Sequence, residues 1–162
     1  MKKAFLYAGQ GSQKVGMGKD IYEANETFRQ VVDSAKLDFD VKNLMFEGPM
    51  DKLSQTRYTQ PAMAVFAAGI TSVLKENGIM PDYAAGLSLG EYSALICAGV
   101  FDNDTLINLV AFRGKVMEDA ARGIACKMSA VMGMESEKLE KICEKVNAEN
   151  EEYYVTVSNY NC

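Results

Sequence analysis

Histidine does not occur in these 162 residues. That removes the side chain that most often activates a serine nucleophile, and with it a frequent zinc ligand. Cysteine is sparse: Cys97, Cys126, Cys143 and Cys162 lie far apart, with no CxxC pair. Such scattered thiols read as small apolar residues in a reducing compartment, not as a metal or redox centre. There are only three prolines, no low-complexity tract and no internal repeat, which excludes a disordered chain or a solenoid. Basic charge is also short: 17 Lys and Arg stand against 22 Asp and Glu, a net charge of -5, and the cations are scattered. Nucleic acid, which asks for a basic stripe, is therefore not an expected partner. Long apolar runs are missing too. The run after Lys2 and Lys3 ends at Ala8, too short for a signal-peptide core, and nothing reaches membrane-spanning length. The expectation is a soluble, cytoplasmic protein without a membrane partner.

What is present suits a folded domain: 48% of residues are apolar and 24% charged. Residues 3–8 read as a buried strand ending in glycine. Helical spacing follows over 18–36 and over 60–77, the second opening with Pro61 in its first turn and closing at Gly78. Residues 83–87 read as a second strand, then 89–98 and 103–121 as helices. Arg122-Gly123 punctuates the chain. Beyond it come a strand at 128–134, a helix presenting Leu139, Ile142, Cys143 and Val146, and a strand at 153–158. The glutamates at 149, 151 and 152 read as a solvated loop. The spacing predicts a large α/β part over 1–123 and a small βαβ part over 124–162. Two strands cannot form a sheet broad enough for so many apolar helices. The architecture reads as incomplete, and its open edges predict self-association.

Three places carry chemistry. Gly86-Leu87-Ser88-Leu89-Gly90 fits G-x-S-x-G, a strand-to-helix elbow that thrusts a serine outward while glycines allow close backbone packing. The following helix would aim its N-terminus at Ser88, and the Leu89 N–H would form half of an oxyanion hole. Gly9-Gln10-Gly11-Ser12-Gln13 follows the first strand. A dinucleotide fingerprint fails there because Lys14 stands where glycine is needed, and a phosphate loop fails because Met17 stands where lysine is needed. The remaining readings are a plain turn, or a turn whose Gln10 N–H completes the oxyanion hole. Arg113 falls on one helical face with Leu106, Val110 and Met117. A guanidinium in an apolar stripe needs a fixed anion, either an internal carboxylate or one brought by a substrate. Its planar fork suits a carboxylate.

Together the stretches AGQGSQKVGMG at 8–18, YTQPA at 58–62, GLSLGEYSALICAGV at 86–100, FRGKVM at 112–117 and the tail VSNYNC resemble the malonyl-CoA:acyl carrier protein transacylase family. The resemblance implies a hydrolase-like α/β core with a parallel sheet, incomplete here, joined to the first βαβ of a ferredoxin-like subdomain. It implies that Ser88 takes malonyl from coenzyme A, that the amides of Gln10 and Leu89 form the oxyanion hole, and that Arg113 grips the free malonyl carboxylate. Gln60 matches a family position near the active site. The thioester is a substrate, so no cofactor or metal is implied, and the acyl acceptor is the acyl carrier protein. Position 87 departs from the family's common histidine and is leucine. The family's catalytic histidine lies beyond the equivalent of Cys162, so this chain resembles a truncated form that transfers malonyl negligibly alone. Glu91 is no substitute, because the elbow helix would carry it away from the hydroxyl. The rival readings are a non-catalytic binding module for malonyl-CoA or carrier protein, and a serine esterase.

Overall fold

The computed structural model describes residues 1–160; Cys162 and the last part of the tail motif fall outside them. The chain divides into two compact units, Met1–Ile124 and Ala125–Cys162.

In the first unit, β1 (Ala4–Tyr7) is followed by five helices: α1 (Lys19–Ala24), α2 (Glu26–Ser34), α3 (Val41–Glu47), α4 (Met50–Leu53) and α5 (Thr56–Glu76). Then come β2 (Tyr83–Gly86), α6 (Leu89–Cys97) and α7 (Asn103–Ala121). Side-chain caps set several boundaries. The Asn25 carboxamide accepts a bond from the Phe28 N–H at 2.9 Å, and Asn25 is extended at φ -131°, ψ 122°. That cap divides the single helix expected over 18–36 into α1 and α2. Asp40 caps α3 through the Asn43 N–H, and Asp102 caps α7 through the Thr105 N–H. The helix expected from residue 60 begins at Thr56 instead, so Pro61 lies inside α5 and not in its first turn. That first turn is anchored independently, because the Thr59 hydroxyl donates to the Leu53 carbonyl at 2.5 Å.

Helix α5 is the axis of this unit, and α2, α3, α6 and α7 all pack on it. Phe28, Leu53, Val65, Leu106 and Val110 are fully enclosed there. Each such side chain contributes roughly 1.5–3 kcal/mol by leaving water. Strands β1 and β2 pair in parallel, Ala4 opposite Tyr83 and Tyr7 opposite Gly86. Phe5 and Tyr7 are half-buried, whereas Leu6 is 80% exposed and Tyr83 63%. This corrects the expectation of a buried strand. The Tyr7 face packs, its hydroxyl bonding Thr71 of α5 at 2.8 Å, and no described residue covers the Leu6 face.

The second unit contains one helix, α8 (Ser136–Glu149), and no strand among its described residues. The strands expected at 128–134 and 153–158 are absent, so the predicted βαβ does not form. A strand exists through its ladder bonds, and neither segment has a partner in this unit. Val155 instead pairs its N–H and carbonyl with the carboxamide of Asn147 on α8, both at 2.8 Å. The architecture is thus helix-rich, with one small parallel sheet.

Candidate active site

Ser88 sits in the turn between β2 and α6 at φ 51°, ψ -102°, the one non-glycine residue of positive φ among those described. Such a backbone costs on the order of 1–3 kcal/mol and persists only where its surroundings enforce it. The enforcement is visible. The Leu87 N–H bonds the Tyr7 carbonyl at 3.1 Å, and the Gly90 N–H bonds the Leu87 carbonyl at 2.9 Å. A β-carbon at Gly86 would stand 2.0 Å from the Gly90 backbone, and one at Gly90 would stand 2.2 Å from the Tyr7 oxygen. One at Gly9 would meet the Leu87 oxygen at 2.9 Å, so the glycine turn after β1 lies directly against the elbow. The Leu89 side chain is buried and roots the first turn of α6. The backbone N–H groups of Gln10 and Leu89 have no acceptor among the described residues. Ser88 itself is exposed.

Arg113 comes to the elbow from α7. Gly114 permits this approach, since a β-carbon there would press on the Thr56 carbonyl at 2.9 Å and the Gln60 β-carbon at 3.3 Å. Glu118, one turn further along α7, accepts the Arg57 N–H at 3.2 Å and so satisfies an open donor at the start of α5. The guanidinium donates through Nη1 to Gln60 Oε1 at 2.7 Å and through Nη2 to Ser88 Oγ at 3.3 Å. It lies over the Tyr92 ring, 5.4 Å from the centroid. No carboxylate among the described residues forms an ion pair with it. The expected apolar stripe is covered over only part of its length. Leu106 and Val110 are buried, Met117 is 45% exposed, and Arg113 itself is half-buried.

Gln60 is fully buried. Its oxygen takes the Arg113 bond, while its Nε2 faces Gln10 Oε1 at 3.4 Å and Met117 Sδ at 3.3 Å. The guanidinium is donor-only, so it fixes which way the carboxamide points. Gln10 Nε2 in turn donates to Thr56 Oγ1 at 3.0 Å. The structure therefore brings Ser88, Arg113, Gln60 and Gln10 together, with Leu89 beside them in the elbow. Glu91 is exposed and makes no bond to the Ser88 hydroxyl. Sequence reasoning did not single out Tyr92 or Thr56. Their signal was spacing: Thr56 lies four residues before Gln60 on α5, and Tyr92 lies in the first turn of α6, four residues after Ser88 in the elbow. No group of Cys, Asp and Glu side chains suited to a metal occurs among the described residues, and no described helix is long and apolar enough to cross a membrane.

The site thus combines a strained serine between close-packed glycines with an arginine that no carboxylate among the described residues pairs. The chain belongs to the acyl transferase domain family, whose model matches residues 4–161. It is 39% identical over 163 aligned residues to the malonyl CoA-acyl carrier protein transacylase of Bacillus subtilis, covering 99% of this chain and 51% of that protein. The Staphylococcus aureus transacylase of the same name is 35% identical, with 52% of it covered. Among solved structures, MCAT from Streptococcus pneumoniae superposes with a TM-score of 0.80 at 44% identity, over 91% of this chain and 49% of that one. A malonyl-transacylase in complex with a type II PKS acyl-carrier protein superposes equally well, at 35% identity, with 92% of this chain and 49% of that one covered. This chain spans about half the length of these relatives.

Proposed function

We propose that this chain is the nucleophile-bearing part of a malonyl-CoA:acyl carrier protein transacylase that supplies malonyl groups for fatty-acid biosynthesis in the cytoplasm. Ser88 Oγ attacks the thioester carbonyl of malonyl-CoA. The developing oxyanion accepts the N–H bonds of Gln10 and Leu89, and Arg113 takes the distal carboxylate. Collapse of the tetrahedral adduct breaks the C–S bond, and coenzyme A leaves with the proton that Ser88 gave up. The pantetheine thiol of acyl carrier protein then attacks the malonyl-serine ester, and Ser88 is regenerated. The observation that carries this reading is Arg113: a guanidinium with no acidic partner among the described residues, oriented by a buried carboxamide and 3.3 Å from the elbow hydroxyl. A serine esterase for uncharged substrates would leave that arginine without a task.

The proton acceptor for Ser88 is not supplied by histidine within this sequence. On our reading it comes from polypeptide that the sequence does not contain, and so does the rest of a hydrolase-like sheet and ferredoxin-like subdomain. The open Leu6 face of β1 agrees with this and favours self-association of the chain alone, which sedimentation velocity tests: a monodisperse monomer would count against it. A binding module without turnover is the second reading, favoured by the same baseless serine.

Calorimetry and radiolabelled malonyl-CoA separate these possibilities. The chain should bind malonyl-CoA more tightly than acetyl-CoA, and Arg113→Met should erase that preference. Rapid stoichiometric labelling of Ser88 would overturn the external base. Equal binding of the two thioesters would overturn the carboxylate grip. Hydrolysis of an uncharged short-chain ester would favour the esterase.

A further inference from the structure

Thr56 lies at the first residue of α5 and makes no bond to Ser88 or Arg113, yet it closes a continuous chain that reaches both. Its hydroxyl accepts from Gln10 Nε2 at 3.0 Å. The other end of the same carboxamide, Gln10 Oε1, faces Gln60 Nε2 at 3.4 Å. Gln60 Oε1 holds Arg113 Nη1 at 2.7 Å, and Arg113 Nη2 reaches Ser88 Oγ at 3.3 Å. Thr56 and Gln60 are four residues apart on α5, so one helix face grips both ends of the Gln10 side chain. Gln10 is an exposed residue in a glycine turn, where a long side chain would ordinarily be free. Here it is tethered, and the tether holds the glycine turn that lies against the elbow, where a β-carbon at Gly9 would stand 2.9 Å from the Leu87 oxygen.

We infer that Thr56 is a positioning residue. Through the Gln10 and Gln60 carboxamides it ties the turn bearing the Gln10 N–H to the guanidinium of Arg113, so that recognition of the acyl group's carboxylate and alignment of the oxyanion donor are coupled. This inference rests on the malonyl-transfer reading for its purpose, but the coupling itself is a property of the free chain. Its weakest link is the 3.4 Å contact between the two carboxamides, beyond the ordinary N–H···O range. An anion that draws Arg113 would shift Gln60 and be felt at that link first. By reciprocity, loosening Gln10 must weaken carboxylate binding by the factor through which the carboxylate orders Gln10.

The test uses the whole chain with 15N labelling. In the ligand-free protein, Thr56→Val should shift the side-chain resonances of Gln10, Gln60 and Arg113 together, whereas Thr56→Ser should restore them. Thermal unfolding of each variant reports folding separately. If Thr56→Val does not fold, Gln10→Met cuts the same tether at an exposed position, and the Gln60 and Arg113 signals should then move. Gln60 and Arg113 resonances that stay in place when the tether is cut would overturn the coupling. Malonyl-CoA binding is the second arm, with an expected loss of about fivefold for Thr56→Val, the worth of one ordinary hydrogen bond. If the wild-type chain does not bind malonyl-CoA, the functional reading fails while the ligand-free spectra still decide the coupling. If it binds and Thr56→Val binds equally well, the coupling fails alone.

Discussion

Replacing Gly90 with alanine tests the elbow through the sign of a stability change. Gly90 is the second residue of α6 and does not have positive φ, so conformational freedom is not why glycine stands there. In an exposed helix the same substitution stabilises by roughly 1 kcal/mol. Here the added β-carbon would lie 2.2 Å from the Tyr7 oxygen, 2.7 Å from the Tyr7 carbonyl carbon and 2.8 Å from the Ala8 oxygen. All three are backbone atoms, and none can swing aside as a side chain would. Normal contact requires β1 and α6 to part by about 1 Å, an overpacking cost of about 1–3 kcal/mol. The Tyr7 carbonyl also accepts the Leu87 N–H at 3.1 Å, and losing that bond adds about 1 kcal/mol. Set against the roughly 1 kcal/mol that alanine gains in a helix, the expected net destabilisation is about 1–3 kcal/mol, a sizeable share of the roughly 5–15 kcal/mol that holds an ordinary domain. Urea unfolding followed by far-ultraviolet circular dichroism measures it. Gly99→Ala is the comparison, because Gly99 has φ +78° and open space around it, so its cost is only the left-handed backbone, about 1–2 kcal/mol. A Gly90→Ala protein as stable as wild type, or more so, would refute the close-packed elbow.

Two further substitutions probe the site and the sheet. Gln60→Glu would place a carboxylate where the carboxamide oxygen now lies 2.7 Å from Arg113, giving the guanidinium an internal partner. Malonyl-CoA affinity measured by calorimetry should then fall at least about tenfold, and an unchanged affinity would show that the arginine's lack of an acid is irrelevant to binding. Burial holds the Tyr7 phenol protonated well above its ordinary value of 10.0; the neighbouring Cys97 adds to this, and the Thr71 bond opposes it. An unfolded Tyr7 ionises near that value while the folded one does not, so its contribution is intact below pH 10 and declines as pH rises further. Urea midpoints measured from pH 9 to 11 should fall less steeply in Tyr7→Phe than in wild type, and identical slopes would argue against a phenol whose ionisation folding opposes.

The elbow was legible in the sequence because its chemistry is local. Gly86, Ser88 and Gly90 must stand at fixed spacing, and the backbone distances around them show why. Arg113 was legible as a charge amid apolar periodicity, although the stripe proved half-open. Other features needed partners that a linear reading cannot place. Asn25 is a capping residue in the middle of a continuous helical pattern, and the pattern concealed the break. Helices α3 and α4 are short, and neither was read from periodicity. The segments at 128–134 and 153–158 have strand composition, but composition supplies no hydrogen-bonding neighbour. The tether from Thr56 through Gln10 to Gln60 joins residues 46 and 50 positions apart, and no spacing rule links them.

The direction of the bond between Arg113 and Ser88 bears on what this site does alone. Arginine has only donors, so in the 3.3 Å contact Ser88 Oγ is the acceptor and its own proton points elsewhere. No described side chain receives that proton. A guanidinium beside the oxygen favours negative charge on it, but cannot remove the hydrogen. On the proposed malonyl-transfer reading, recognition and proton removal are therefore separable: the first would be built from α5, α6 and α7, and the second would come from the side of Ser88 that the arginine leaves free. A small exogenous base examines this division. Imidazole added at near-neutral pH should raise malonyl labelling of Ser88 in proportion to its concentration, and Arg113→Met should remove the response by removing the bound substrate. Labelling that stays at background across the whole imidazole series would mean that a missing proton acceptor is not what holds the serine silent.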